Sequence, residues 1–353
     1  MNNQALLSWY REVARPLPWR AKPADPYGVL LSEIMAQQTR IETMLPYWER
    51  FMTRWPTVQD LAGAKPEEVL GEWAGLGYYS RARNLHKAAK VVAELGSFPS
   101  NTKDLQALPG VGPYTAGAVA SIAFDQDAAL VDGNVERVLC RFHRIEDDPR
   151  IPKVKRHLWA LAEEHLPRGE AGDHNQALME LGATVCTPRN PSCGSCPLSV
   201  ECAGQDIAAS LPNKPRKQKA PEVRAACVGL EREGSILLCR RPESGLLGGL
   251  WELPSVELET QDNETWRVQQ GLKERLGMEV LLLRKLGQVR HIFTHRKLTQ
   301  TVWQGQGSGD LTLRYYEAAA WFDPQNLGGV PLSKLALKTL AVLEQPDEQL
   351  NLL

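Results

Sequence analysis

The chain has 353 residues, a length that predicts two or three domains at about 150 residues each. A composition of 43% hydrophobic and 24% charged residues excludes the disordered and fibrous classes. A net charge of −1 provides no global attraction for nucleic acid, so such a partner has to be recognised by local sites.

Helical periodicity dominates the first two hundred residues. Apolar residues recur every three or four positions at Leu30, Leu31, Ile34 and Met35, then at Ile41, Met44 and Leu45. The stretches 83–95, 114–124, 154–166 and 174–185 repeat that pattern, punctuated at Gly75-Leu76-Gly77, Leu108-Pro109-Gly110 and Leu166-Pro167. Residues 211–224 change character: Pro212, Pro215 and Pro221 alternate with Lys214, Arg216, Lys217, Lys219 and Arg224, which predicts a basic, extended linker. Beyond it, 225–230 and 235–240 read as strands around the turn Glu231-Arg232-Glu233-Gly234. Further strands are expected at 280–286, 297–303 and 311–322, and helices near 264–276 and 333–343. The fold class is therefore multidomain: an all-α domain over 1–210, then an α+β domain over 225–353. No apolar run reaches the ~18 residues that span a bilayer. Met1–Gln4 has no basic segment leading into an apolar one, so a cytoplasmic protein with no membrane partner is expected.

Seven cysteines without an export signal argue for metal or redox chemistry rather than a disulfide framework. Cys140, Cys227 and Cys239 stand singly in apolar stretches and read as buried thiols. Cys186, Cys193, Cys196 and Cys202 cluster, and a thiolate set of this kind selects zinc or an iron–sulfur cluster. Their single tight pair suits one cuboidal cluster in a compact loop better than a zinc knot built from two short pairs.

Leu108-Pro109-Gly110-Val111-Gly112-Pro113-Tyr114 separates two helical patterns, about 105–125 in all. Gly110 and Gly112 let the backbone amides around Val111 turn outward. The helix that follows points its free N–H groups the same way, so the segment can grip a phosphate. Two acids occupy unusual settings. Glu33 lies in Leu31-Ser32-Glu33-Ile34-Met35-Ala36-Gln37-Gln38-Thr39, a charge among apolar neighbours. Asp132 lies in Ala129-Leu130-Val131-Asp132-Gly133-Asn134-Val135, where an N-cap is the plain structural reading.

Taken in order, residues 30–39, 75–86, 108–118 and 131–139, the four cysteines and the C-terminal domain resemble the adenine DNA glycosylases of the MutY family, within the endonuclease III superfamily. The resemblance covers nearly the whole chain. It implies a helix-hairpin-helix glycosylase core with a [4Fe–4S] cluster loop at 186–202, followed by a Nudix-like domain that reads 8-oxoguanine. It also implies hydrolysis of adenine mispaired with 8-oxoguanine or guanine in duplex DNA, with the base flipped out of the stack. Glu33 matches the general acid and Asp132 the aspartate that stabilises the sugar cation. Asn134 and Tyr114 match residues that line the site. Trp19 and Arg20 match the adenine pocket. Gln38 and Tyr78 match side chains that enter the stack around the lesion, with Thr39 beside them. Bifunctional relatives carry a lysine where Tyr114 stands, and a phenol cannot form a Schiff base, so a monofunctional enzyme is expected. No nucleotide cofactor is expected, and the protein is read as a monomer.

The stretch 246–254 is similar to the entry of Nudix domains, but in 270–277 only Glu274 remains of the carboxylate set that holds magnesium, so hydrolase chemistry is not expected. His291-Ile292-Phe293-Thr294-His295 matches the family's Phe-Ser-His loop. The Thr294 hydroxyl can accept and donate like serine, between Phe293 and His295. Three other readings are a glycosylase/lyase acting on pyrimidine lesions, a non-catalytic DNA-binding module and a nucleotide pyrophosphohydrolase. They are disfavoured by Tyr114, by Glu33 with Asp132, and by the missing carboxylates, respectively.

Overall fold

The structure is a computed structural model that describes residues 1–215, 219–259 and 263–344. Arg216 and Lys217 of the expected linker lie outside the described residues. The chain forms two compact units, one of residues 1–63 with 84–217 and one of residues 64–83 with 218–353. Residues 64–83 thus group with the C-terminal residues, whereas the sequence reading kept them within a contiguous first domain. The contacts responsible include Arg240 to Glu67 at 2.8 Å and a hydrogen bond between the Tyr78 and Thr294 hydroxyls.

In chain order the helices before residue 200 are α1 (Asn3–Val13), α2 (Pro26–Ala36), α3 (Ile41–Arg54), α4 (Val58–Gly63), α5 (Pro66–Glu72), α6 (Ser80–Leu95), α7 (Thr102–Gln106), α8 (Pro113–Phe124), α9 (Gly133–Phe142), α10 (Pro152–Glu164) and α11 (Ala171–Thr184). The periodic stretches of the sequence coincide with α6, α8, α10 and α11. The core of the first unit comes from their apolar faces. Leu6 and Tyr10 of α1 meet Val135, Leu139 and Phe142 of α9 and Leu178 and Leu181 of α11. α2 and α8 are apolar nearly all round and buried through most of their length, as central helices must be. Asp25 caps α2 by accepting from the Tyr27 and Gly28 amides, and Pro26 occupies its first turn.

The second unit holds β1 (Glu222–Arg232), β2 (Ser235–Arg240), β3 (Trp251–Glu252), β4 (Ser255–Leu258), α12 (Glu264–Leu276), β5 (Glu279–Ile292), β6 (Lys297–Ser308), β7 (Ala318–Phe322) and α13 (Lys334–Leu343). The strand order is β3-β2-β1-β6-β5, with β4 paired to β1 and β7 to β2. β1 runs parallel to β6, from Glu222 opposite Lys297 to Leu230 opposite Gly305. Glu233 and Gly234 both take positive φ, +49° and +78°, and close the β1–β2 hairpin in the two-residue turn whose twist suits a sheet.

The structure corrects three expectations here. The linker ends earlier than residue 224, because pairing with β6 draws Glu222 and Arg224 into β1. The short strand β4 was not foreseen: four residues on one partner strand are too few for an alternation to register. Only 318–322 of the expected 311–322 strand pairs. Residues 311–317 lie outside it, and there Tyr316 is buried and its hydroxyl accepts from the Ser255 amide at 2.9 Å. Cys140, Cys227 and Cys239 are fully buried, as single thiols in apolar stretches should be.

Candidate active site

A cavity of about 830 Å³ in the helical unit is lined by Trp19, Arg20, Glu33, Gln38, Thr39, Tyr114, Asp132 and Asn134. Eight positions singled out in the sequence therefore share one site. Glu33 enters it from the buried helix α2 and Tyr114 from the first turn of α8, and the Tyr114 hydroxyl donates to Glu33 Oε2. Burial pushes the Glu33 carboxyl from 4.5 up to about 7, against the Tyr114 hydrogen bond that favours ionisation. Burial likewise holds the Tyr114 phenol well above its ordinary value. Its hydroxyl also lies 3.8 Å from the Met179 sulfur.

Asp132 is the N-cap of α9, as the plain reading required, and the cap itself aims the carboxylate into the cavity. Oδ1 accepts from the Asn134 amide at 2.9 Å and the Val135 amide at 2.7 Å. Oδ2 accepts from Asn134 Nδ2 at 2.8 Å. Burial raises this carboxyl too, opposed by those three donors and by the charge of Arg137. The sequence reading had Asn134 simply lining the site. Its side chain in fact bridges Asp132 to Arg137, whose Nη2 donates to Asn134 Oδ1 at 2.9 Å.

Trp19 sits in a single 3-10 turn, Pro18–Arg20, and is buried against Trp48 with ring centroids 5.6 Å apart. Arg20 Nη2 donates to Glu180 Oε2 at 2.7 Å, and Arg15 holds the other oxygen of that carboxylate at 2.6 Å. Glu180 is 1% exposed. Burial pushes its carboxyl up, but the two guanidinium groups outweigh burial and hold it below its ordinary value. Sequence reasoning missed Arg15, Met179 and Glu180. The signal was present: Glu180 is an acid inside the apolar run Ala177-Leu178-Met179-Glu180-Leu181, the same cue that marked Glu33.

Gly110 takes φ +77°, and a Cβ there would stand 2.6 Å from Asn84 Cβ, so glycine is required twice over. Gly112 is the N-cap of α8, Val111 is buried, and the Val111 amide closes the turn on the Leu108 carbonyl at 3.1 Å.

The four clustered cysteines, all unbridged, line one small cavity together with Arg141. Among the described residues no three side chains close on a single metal ion; the thiols instead stand around a space. Arg141 Nη1 donates to Cys186 Sγ at 3.2 Å, and Arg137 Nε donates to the Cys186 carbonyl at 2.8 Å. Four thiols around a cavity, one of them already accepting from a guanidinium, fit a thiolate-held cluster.

In the other unit, a cavity of about 600 Å³ is lined by Tyr78, Phe293, Thr294 and His295 among others. Tyr79 is buried, but Tyr78 is 40% exposed and takes φ +50°; Gln38 in the helical unit takes φ +58°. A left-handed backbone at two non-glycine residues is a local strain of the kind that accumulates at functional positions. The Phe293 ring packs between His291 and His295, with centroids 4.6 and 6.3 Å away.

Comparison with known proteins finds three family matches along the chain, the first of which runs through residues 64–83. Residues 31–164 match the HhH-GPD superfamily of base excision DNA repair proteins, residues 186–202 the iron–sulfur binding domain of endonuclease III, and residues 225–342 the NUDIX domain. The adenine DNA glycosylase of Rattus norvegicus is 40% identical over 402 residues, covering 96% of this chain and 77% of that protein. The Homo sapiens adenine DNA glycosylase is 43% identical over 359 residues, covering 85% of this chain and 66% of that protein. The structure of a thermostable thymine-DNA glycosylase superposes with a TM-score of 0.52 at 30% identity, covering 58% of this chain and 94% of that one.

Proposed function

The chain belongs to the adenine DNA glycosylases, and from that premise we propose that it excises adenine mispaired with 8-oxoguanine or guanine in duplex DNA, acting as a monomer and leaving the strand uncut. The observation that carries this reading is the buried Glu33, held by the Tyr114 hydroxyl in one cavity with Asp132. At about 7, Glu33 holds a proton near neutral pH and can give it to N7 of an extrahelical adenine. The N9–C1′ bond then breaks with its electron pair passing to the base, which leaves positive charge shared by C1′ and O4′ of the sugar. The Asp132 carboxylate, oriented by its three donors, offsets that charge. Water adds to C1′, and its proton returns to Glu33. The products are free adenine and an abasic site.

Trp19 offers the base an indole face, and Arg20, steadied by Glu180, a fixed set of donors. Tyr114 is no amine and cannot form an imine on the sugar, so little or no strand cleavage follows. The hairpin of Gly110, Val111 and Gly112 meets the phosphate backbone through the amides of the two glycines, that of Val111 being taken by the Leu108 carbonyl at 3.1 Å. Gln38 and Tyr78 enter the stack with Thr39 beside them, and Phe293, Thr294 and His295 read the lesion. A hydroxyl at Thr294 suits 8-oxoguanine because oxidation turns N7 into a donor. Cys186, Cys193, Cys196 and Cys202 hold the [4Fe–4S] cluster, which when bound supplies a structural tie across the loop.

The test is base release from a labelled duplex carrying adenine opposite 8-oxoguanine or guanine, read with and without alkali. Adenine opposite thymine and cytosine opposite 8-oxoguanine serve as controls. Breaks that need alkali and occur only at the mispaired adenine are expected. Cleavage without alkali would refute the monofunctional reading, and equal release opposite thymine would refute the mispair specificity.

A further inference from the structure

α10 forms part of the wall of the glycosylase cavity through Lys155, Leu158 and Trp159. Positions three and four residues apart fall on one face of a helix, so this face of α10 is turned to the cavity. Val154 and Leu158 pack with Val135 and Leu139 of α9, the helix that Asp132 caps. Lys155 is exposed and lies one turn nearer the start of α10 than Trp159. α10 opens with Lys153, Lys155 and Arg156 and has no acid in its first turn, although the positive end of a helix favours acids there. Of the acids that line the cavity, Glu180 closes on Arg15 and Arg20, and Glu136 closes on Lys214 at 2.6 Å. Among the described residues Lys155 closes no ion pair. An ammonium on a long apolar stem therefore stands at the cavity with no carboxylate to neutralise it.

We infer that Lys155 binds a backbone phosphate next to the extruded nucleotide and so holds its sugar at Asp132. The inference rests on the glycosylase reading, in which the base enters the cavity and the sugar stops at Asp132. Extrusion draws the flanking phosphates towards the mouth of the cavity, where the carboxylates of its wall repel them. A lysine there offsets one phosphate charge, and as a point charge it needs no fixed orientation to do so. The phosphates of a stacked nucleotide stay along the duplex and make no such contact. A contact made in only one of two states shifts the balance to that state, so Lys155 favours extrusion itself.

The experiment is a binding titration over a range of salt in the Glu33→Gln background, which holds the mispair uncleaved. One duplex carries adenine opposite 8-oxoguanine and the other is fully paired. Lys155→Gln should weaken binding of the mispaired duplex about fivefold or more near 0.1 M salt, and lower the slope of log affinity against log salt by about one. Affinity for the paired duplex should be unchanged, and Lys155→Arg should restore the mispair affinity. Lys153→Gln, on the same helix but outside the cavity wall, should alter neither affinity. Base release by the unmodified protein checks the underlying reading separately. If no adenine is released, the glycosylase reading falls and this inference with it. If adenine is released, three results overturn the inference alone: mispair affinity unaltered in Lys155→Gln, an equal loss for the paired duplex, or an equal loss in Lys153→Gln.

Discussion

Replacing Glu33 by glutamine should make this protein more stable and less active, and the gain in stability should depend on pH in a way fixed by burial. The carboxyl stands at about 7 in the folded chain against an ordinary 4.5. At 1.36 kcal/mol per pKa unit, holding the ionised form inside the fold costs about 3 kcal/mol. The raised value means that the folded protein binds this proton more tightly than the unfolded chain does. The penalty is therefore absent below about 4.5, grows as the pH rises towards about 7, and is constant above that. Glutamine has the same shape, never ionises, and can still accept from the Tyr114 hydroxyl. Urea denaturation of both proteins across this pH range should give equal stabilities at the acid end. At the alkaline end Glu33→Gln should be ahead by about 3 kcal/mol. Single-turnover base release should fall by about 10² to 10⁴, the usual worth of a positioned general acid. A stability difference that is flat with pH, or that shrinks as pH rises, would refute the buried neutral acid. Undiminished base release would refute its catalytic role.

Tyr114→Phe removes the hydrogen bond that favours the ionised Glu33, so the alkaline limb of the pH–rate profile should move up by about one to two pH units; a limb that stays or moves down counts against it. Asn134→Ala takes the Nδ2 donor from Asp132 and leaves Arg137 Nη2 without its acceptor there. Base release should drop about tenfold or more with duplex affinity kept, as measured by single-turnover kinetics and a binding titration. His174 is fully buried with neither ring nitrogen partnered, and burial lowers its imidazole to about 4. His174→Leu should therefore raise stability by about 1 kcal/mol in thermal denaturation, and an unchanged or lower midpoint would show that the ring is satisfied in solution. Cys196→Ser should abolish the visible absorption of the cluster and lower stability, whereas Cys140→Ser should leave that absorption intact.

Much of this molecule is legible one residue at a time. The helices whose apolar residues recur every three or four positions stand where the periodicity places them, because a helix's stability comes from the face it buries. The turn at Glu233-Gly234 is legible because only a few residue types take positive φ cheaply. Chemistry confined to one loop is legible too: four cysteines within 186–202 can reach one another whatever the rest of the chain does. Short or irregular pieces were not. β4 exists because β1 offers it an edge, and residues 311–317 lie off the sheet, with the buried Tyr316 accepting a hydrogen bond from the Ser255 amide.

By itself the sequence determined the periodic helices, the glycine turns, the thiol cluster and the two acids with unusual neighbours, all of them properties that act over a few residues. Only the tertiary structure decided that Glu33 of α2 and Asp132 of α9 share a cavity, that burial raises one to about 7, and that the cap of a helix orients the other. It also decided that Arg15 and Arg20 close on Glu180, and that Tyr78 meets Thr294. Desolvation and charge pairing depend on which atoms surround a group in space. The chain brings those atoms from positions far apart, where no local pattern of residues can signal their meeting.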